Sequence, residues 1–320
     1  MPITHRTVEA NGIRLHVAEA GEGPLVLLLH GWPELWYSYR HQLEALAEAG
    51  YHAVAPDQRG YGRSDAPDDV AAYTLCHLAG DAVAVADALG ADRFAVVGHD
   101  WGSPVASTVG LFRPDRVRGV ALLSVPYTPR GDVDQLTGLT RRLGPRNYQV
   151  YFQQPGIAEA ALEADVRTSV VTLLVGLSGD TPRRGLLAEV TTAADLVPDL
   201  GDLPLPPWLT EEDVGVYVAE HRRAGFRGGL NWYRNARRNW ELLAAWHRAP
   251  LLVPSLFVGG DRDPVLAWPG FADLVASLRQ YSMPGLTRAV VLEGCGHWTE
   301  QERPDEVSGL LLEFLANLPQ

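Results

Sequence analysis

The stretch Phe94-Ala95-Val96-Val97-Gly98-His99-Asp100-Trp101-Gly102 runs from an apolar segment straight into a turn bracketed by two glycines. A helix-forming segment follows and stops near Pro114. A short continuous apolar run reads as a strand buried on both faces. The glycines suit a sharp turn in which a Cβ would clash with neighbouring backbone. Such a strand–turn–helix holds its central side chain, Asp100, out at the carboxyl end of a sheet. An aspartate in this place can also do no more than cap the following helix. The flanking sequence has to decide between the two.

Upstream, Leu25–Leu29 is a second apolar run, followed by His30-Gly31-Trp32-Pro33. Leu35–Ala49 reads as a helix closed by Gly50, Tyr51–Ala55 as a strand, and Pro56–Asp65 as a turn-rich loop. Thr74–Leu89 is helical up to Gly90, and Val117–Val125 is another apolar run. This alternation predicts a parallel sheet with helices on both faces. Past Pro126 the pattern changes. Thr128 to about Ala245 is mostly helical, with loops at Pro182–Gly185 and Pro198–Pro207. Strand–helix alternation returns after Pro250: a strand over Leu251–Val258, a helix over Phe271–Leu278, a strand over Ala289–Leu292 and a closing helix over Pro304–Leu318. The expected organisation is an α/β core made of residues 1–127 and 246–320, interrupted by a helical cap over residues 128–245.

The composition narrows the function. In 320 residues, hydrophobic types make up 46% and charged types 21%, which excludes disordered and fibrous classes. Every one of the 27 basic residues is arginine, and 39 acidic residues leave a net charge of −12. That balance argues against nucleic acid or an anionic membrane as partner. Cys76 and Cys295 are the only cysteines, and the ten histidines lack ligand spacing, so neither a metal nor a disulfide framework is expected. Gly60-Tyr61-Gly62 lacks the third glycine of a dinucleotide loop, and no cofactor is expected. Met1–Gly21 has no apolar core like that of a leader peptide, and no apolar stretch reaches the ~20 residues of a membrane helix. A cytoplasmic monomer or homodimer is the expectation.

Two later loops give Asp100 partners. Gly259-Gly260-Asp261-Arg262-Asp263-Pro264 and Gly294-Cys295-Gly296-His297-Trp298 each follow an expected strand. Nucleophile, acid and histidine in that chain order are the arrangement of an α/β-hydrolase triad. The order assigns Asp100, Asp263 and His297, with Asp261 as a neighbouring competitor for the acid. In this arrangement the loop after the early strand and the residue after the nucleophile supply backbone N–H groups to an oxyanion, here Trp32 and Trp101. An aspartate, with a reference pKa near ~4, attacks without a base and suits displacement at saturated carbon. The resulting alkyl ester would be hydrolysed by water activated by His297.

The chain resembles the soluble epoxide hydrolases of the α/β-hydrolase family. The resemblance rests on His30-Gly-Trp-Pro-Glu34, Gly98-His-Asp-Trp-Gly102, Tyr151-Phe-Gln-Gln-Pro-Gly156, Gly229-Leu-Asn-Trp-Tyr-Arg-Asn235 and Gly294-Cys-Gly-His-Trp298. It implies detoxifying conversion of a small apolar epoxide to a vicinal diol without a cofactor. It also implies two cap tyrosines that donate to the ring oxygen, assigned to Tyr151 and Tyr233. Trp32, Trp101 and Trp298 join them as expected substrate contacts. Tyr148 competes with Tyr151, but the Tyr-Phe-Gln-x-Pro-Gly match selects Tyr151; aromatic packing between cap helices is the alternative for all of them. The sequence departs from the family at Trp32, where phenylalanine is common, and at Ser103, where glycine is. A haloalkane dehalogenase sharing the Asp–His chemistry, and a non-catalytic receptor on the same fold, are the competing functions.

Overall fold

A computed structural model describes residues 1–181, 186–187, 189–201 and 203–319. The chain opens on an antiparallel hairpin of β1 (Thr4–Ala10) and β2 (Ile13–Ala20), which the sequence reading did not anticipate. Its turn is Asn11-Gly12, both at positive φ, the preferred residues for a two-residue hairpin. Alternating strands and helices follow: β3 (Leu25–Leu29), α1 (Arg40–Glu48), β4 (His52–Pro56), α2 (Leu75–Ala88), β5 (Phe94–His99), α3 (Gly102–Phe112) and β6 (Val117–Leu123). The helices α4 (Gln135–Leu143), α5 (Tyr148–Tyr151), α6 (Ile157–Glu163), α7 (Val166–Gly176), α8 (Ala193–Leu196), α9 (Glu211–Ala224), α10 (Arg227–Arg234) and α11 (Ala236–Leu242) come next. Alternation then resumes with β7 (Ser255–Gly260), α12 (Phe271–Ser277), β8 (Leu286–Leu292), α13 (Thr299–Glu302) and α14 (Pro304–Ala316).

The eight strands form one sheet in the order β1-β2-β4-β3-β5-β6-β7-β8. All pairs from β4 to β8 are parallel, while β1 and β2 are antiparallel to their neighbours. Burial on both faces explains the unbroken apolar runs: Leu25, Leu27 and Leu29 enter one core, and Val26 and Leu28 the other. Several element ends shift. Trp36–Tyr39 forms a 3₁₀ turn before α1, and β7 starts only after Pro254, since proline has no N–H to give to a ladder.

Among the described residues between β6 and β7 there is no strand. A single bridge between Arg130 and His247 joins the two ends of this helical segment. Of the two expected loops, Pro182–Gly185 lies outside the described residues; the described part of 198–207 carries no regular element. The helical segment docks on the sheet's loops through specific bonds. His221 Nε2 donates to the Pro33 carbonyl (2.7 Å), Trp232 Nε1 to the Arg59 carbonyl (3.2 Å) and Tyr217 to Gln301 (3.1 Å). No described helix is long and apolar enough to cross a membrane.

Candidate active site

Four adjacent central strands bring four loops to one end of the sheet. The turn after β3 carries His30–Trp32, the turn after β5 Asp100, the end of β6 Ser124, and the loop after β7 Asp263; β8 leads into His297. Asp100 sits at φ +47, a left-handed conformation that only a tightly constrained turn retains. The glycines around it are steric requirements. A Cβ on Gly98 would collide with the Gly102 carbonyl, and one on Gly102 with the Leu29 carbonyl. A Cβ on Gly31 would run into the Asp100 carboxylate itself.

Asp100 Oδ1 accepts a hydrogen bond from the Trp32 N–H at 2.8 Å, and Oδ2 lies 3.6 Å from His297 Nε2. Behind the imidazole, Nδ1 is 3.1 Å from Asp263 Oδ1. Asp263 is buried and its carboxylate is fully engaged: Oδ1 also accepts from the Val265 N–H (2.8 Å), and Oδ2 from the Ser124 hydroxyl (2.6 Å). Burial opposes its ionisation, but His297, Ser124 and the Val265 amide outweigh burial and hold its pKa below the usual range. Burial likewise opposes charge on His297, yet Asp263 and Asp100 lift its pKa well above that of a free imidazole. Asp261 is placed elsewhere, accepting from the Gly294 N–H at the surface.

Trp101 caps α3, where the first N–H groups have no intrahelical acceptor. Its indole packs edge-on to Tyr233, with centroids 5.0 Å apart. A cavity of about 360 Å³ opens over Asp100, bordered by Trp101, Tyr148, Gln149, Val265, Trp268 and Phe271. It continues along α3 past Pro104, Thr108 and Leu111.

The tyrosines fall differently from the sequence assignment. Tyr148 borders the cavity and packs edge-on against Tyr233, their ring centroids 5.8 Å apart. Burial and then the Asp100 charge raise its pKa, and those of Tyr233 rise chiefly through burial and the charges around it, so both stay protonated donors. Tyr151 is half-buried outside this cluster, with the Asp195 charge in its neighbourhood. Three helical residues, about 4.5 Å of rise, separate the two hydroxyl-bearing residues. The Phe152-Gln153-Gln154 part of the motif serves the joint between α5 and α10. Gln153 Nε2 donates to the Tyr233 carbonyl (3.1 Å), and Arg234 Nε donates to the Phe152 carbonyl (2.9 Å). The match therefore marks where the two helices splice, one turn from the tyrosine that borders the cavity. Trp298 is also not brought to the cavity: it is fully buried with its indole N–H on the Leu174 carbonyl (2.8 Å). Trp32 contributes its amide, while its ring packs on Phe152 and Tyr233 beneath the cavity.

Sequence reading missed a buried group behind the triad. Glu34, His99 and Glu300 have ligand-type atoms within 4.8 Å of one another. His99 and Glu34 are committed to each other and to the main chain, while Glu300 Oε1 lies 3.5 Å from His99 Nδ1 without a hydrogen-bond partner among the described residues. His99 Nδ1 is 2.5 Å from Glu34, and Nε2 is 2.7 Å from the His297 carbonyl, which can only accept. Both ring nitrogens therefore carry protons. Burial acts against the charge, but Glu300 and Glu34 raise the His99 pKa to about 9. Ser103, one of the departures from the family, donates to the carbonyls of Gly98 (2.7 Å) and Leu123 (3.1 Å) and so ties the nucleophile turn to β6.

Comparison with known proteins agrees with this geometry. A family model described as alpha/beta hydrolase fold matches residues 24–303. The chain is 44% identical to "Epoxide hydrolase A" of Mycobacterium tuberculosis over 320 residues, covering 98% of each chain. It is 42% identical to "Epoxide hydrolase 2" of Siraitia grosvenorii, again over 98% of each. Among solved structures, an epoxide hydrolase from an endophytic Streptomyces is similar with a TM-score of 0.93 at 49% identity, covering 98% of this chain and 95% of the other.

Proposed function

The chain belongs to the α/β-hydrolase fold family and is an epoxide hydrolase; from that premise we propose that it opens its substrate through a covalent ester on Asp100. The observation that carries this reading is the two-sided setting of the Asp100 carboxylate, with Oδ1 on the Trp32 N–H and Oδ2 facing His297 across 3.6 Å. Residues 128–245 act as the cap that supplies the phenols. Oδ2 attacks an epoxide carbon, the C–O bond of the ring breaks, and the alkoxide takes a proton from the Tyr148–Tyr233 pair. Tyr148 replaces Tyr151 in this role because it borders the cavity and its ring packs against that of Tyr233.

Ester formation removes the negative charge of Asp100. One of the two groups that keep His297 protonated is then gone, so the imidazolium gives its proton back to the phenoxide left by ring opening and becomes a usable base. It takes a proton from water as the hydroxide adds to Cγ. The oxyanion develops on Oδ1, against the Trp32 N–H and the Trp101 N–H, a setting in which one donor is worth ~2.7–4 kcal/mol. Collapse expels the product alkoxide on Oδ2, which takes its proton from His297, and the new Asp100 carboxylic acid then returns a proton to His297 as the vicinal diol leaves. The Trp101 indole packs edge-on against Tyr233, a phenol that suits ring opening better than a halide, which supports ring opening over dehalogenation.

The test is intact-protein and peptide mass on His297→Ala after exposure to an aryl epoxide. A gain equal to the whole epoxide, located on Asp100, is expected, together with loss of turnover in Asp100→Ala. Diol formation at the wild-type rate by pure Asp100→Ala would overturn the mechanism.

A further inference from the structure

We infer that Ser124 is a positioning residue for the hydrolytic half of the cycle, holding Asp263 and His297 in register through one hydroxyl. The inference rests on the covalent reading above. Ser124 is completely buried at the end of β6, between the strands that carry Asp100 and Asp263. Its backbone stands at φ +67, and Val125 N–H bonds back to the Leu123 carbonyl (2.8 Å), closing a three-residue turn about it. This is an uncommon and strained conformation for a residue with a side chain, and glycine would adopt it more readily. What the side chain gains is contact with the triad. Its Oγ lies 2.6 Å from Asp263 Oδ2 and 3.0 Å from His297 Nδ1.

Donor and acceptor counting fixes the roles. Asp263 is ionised and accepts only, so the Ser124 proton points to its Oδ2. The lone pairs of Oγ then face Nδ1–H, which is shared between Ser124 and Asp263 Oδ1 at 3.0 and 3.1 Å. Two consequences follow. The carboxylate cannot rotate about its axis, because Oδ2 is held by Ser124 and Oδ1 by the Val265 N–H. The imidazole proton is kept on Nδ1, so Nε2 is the nitrogen presented to Asp100 and to water. When His297 becomes an imidazolium during hydrolysis, the hydroxyl dipole is already aligned to favour that charge. Ring opening needs no base, so ester formation gains little from this arrangement and ester hydrolysis gains most.

Ser124→Ala and Ser124→Gly, with wild type and His297→Ala beside them, are followed by quenched single-turnover intact mass with an aryl epoxide. Both Ser124 variants are expected to form the Asp100 ester within about 3-fold of the wild-type rate and to clear it at least ~10-fold more slowly, so that ester accumulates. The glycine variant separates the hydroxyl from the backbone: it relieves the strained turn and keeps the protein foldable if alanine does not. Clearance at the wild-type rate in Ser124→Gly would overturn the inference, whatever the alanine variant does. Equal slowing of formation and clearance in both variants would also overturn it, since that is the mark of general distortion. If His297→Ala itself traps no ester, the covalent route fails and the inference with it; if it does and the Ser124 variants clear normally, only the inference fails.

Discussion

In the proposed mechanism the Asp100 charge sets the protonation of the residue that later activates water against the Asp100 ester. His297 is lifted by Asp263 and Asp100 against the pull of burial, so neutralising Asp100 must lower its pKa. Asp100→Asn imitates that neutralisation, and histidine NMR titration should show His297 losing its proton at lower pH than in wild type. An unchanged titration would mean that Asp100 does not control the base. The tyrosines make a second residue-scale prediction. Tyr148→Phe and Tyr233→Phe should each slow ring opening by at least ~10-fold, about 1.4 kcal/mol of barrier. Tyr151→Phe should stay close to wild type. Pre-steady-state ester formation measures all three, and a large loss confined to Tyr151→Phe would restore the motif-based assignment. Sequence identified the triad candidates because each sits in a loop directly after a strand, a position readable from apolar runs. Its motif match selected Tyr151 over Tyr148, but both stand within one helical turn of the same motif, and only the packing of Tyr148 on Tyr233 sets them apart.

At the level of elements, the parallel sheet was legible because strands covered on both faces have no polar alternation to obscure them. Leu25–Leu29, Phe94–His99 and Val117–Leu123 all show this. The β1–β2 hairpin was not recognised, although Asn11-Gly12 is a strong turn signal; β1 is largely exposed and lacks an apolar run. Illegible too were the buried acids, since nothing local distinguishes Glu302 from a surface glutamate. Yet Glu302 joins the end of α7 to the loop of the catalytic histidine. Its Oε2 accepts from Gly179 N–H and Gly296 N–H, both at 2.9 Å, and Oε1 from Trp298 N–H at 3.1 Å. His297 N–H completes the joint by donating to the Leu177 carbonyl (3.0 Å). An unsatisfied buried polar group costs ~1–3 kcal/mol, so Glu302→Ala should destabilise the protein by about 3 kcal/mol in urea unfolding. A loss under about 0.5 kcal/mol would show that this joint holds nothing together.

Across the whole molecule, the buried Glu34–His99–Glu300 group links stability to pH. The His99 pKa is raised to about 9 from an ordinary value of 6.5, with burial overcome by Glu300 and Glu34. A pKa raised on folding contributes stability that is complete below about pH 6.5 and is lost as pH rises through about 9. Glu300, pushed up by burial and by Glu34, acts in the same direction. Calorimetry should therefore record a falling Tm between pH 6.5 and 9, and His99→Gln should flatten that fall; equal slopes would exclude His99 as its source. The grip of the Trp32 N–H on Oδ1 has a consequence for the enzyme's own atoms. With Oδ1 fixed in place, the proposed ester sends Oδ2 away with the diol, and a solvent oxygen takes its position on Cγ. Each cycle thus exports one atom of the protein and imports one from water, so that isotopically heavy water marks the catalyst before it marks the product.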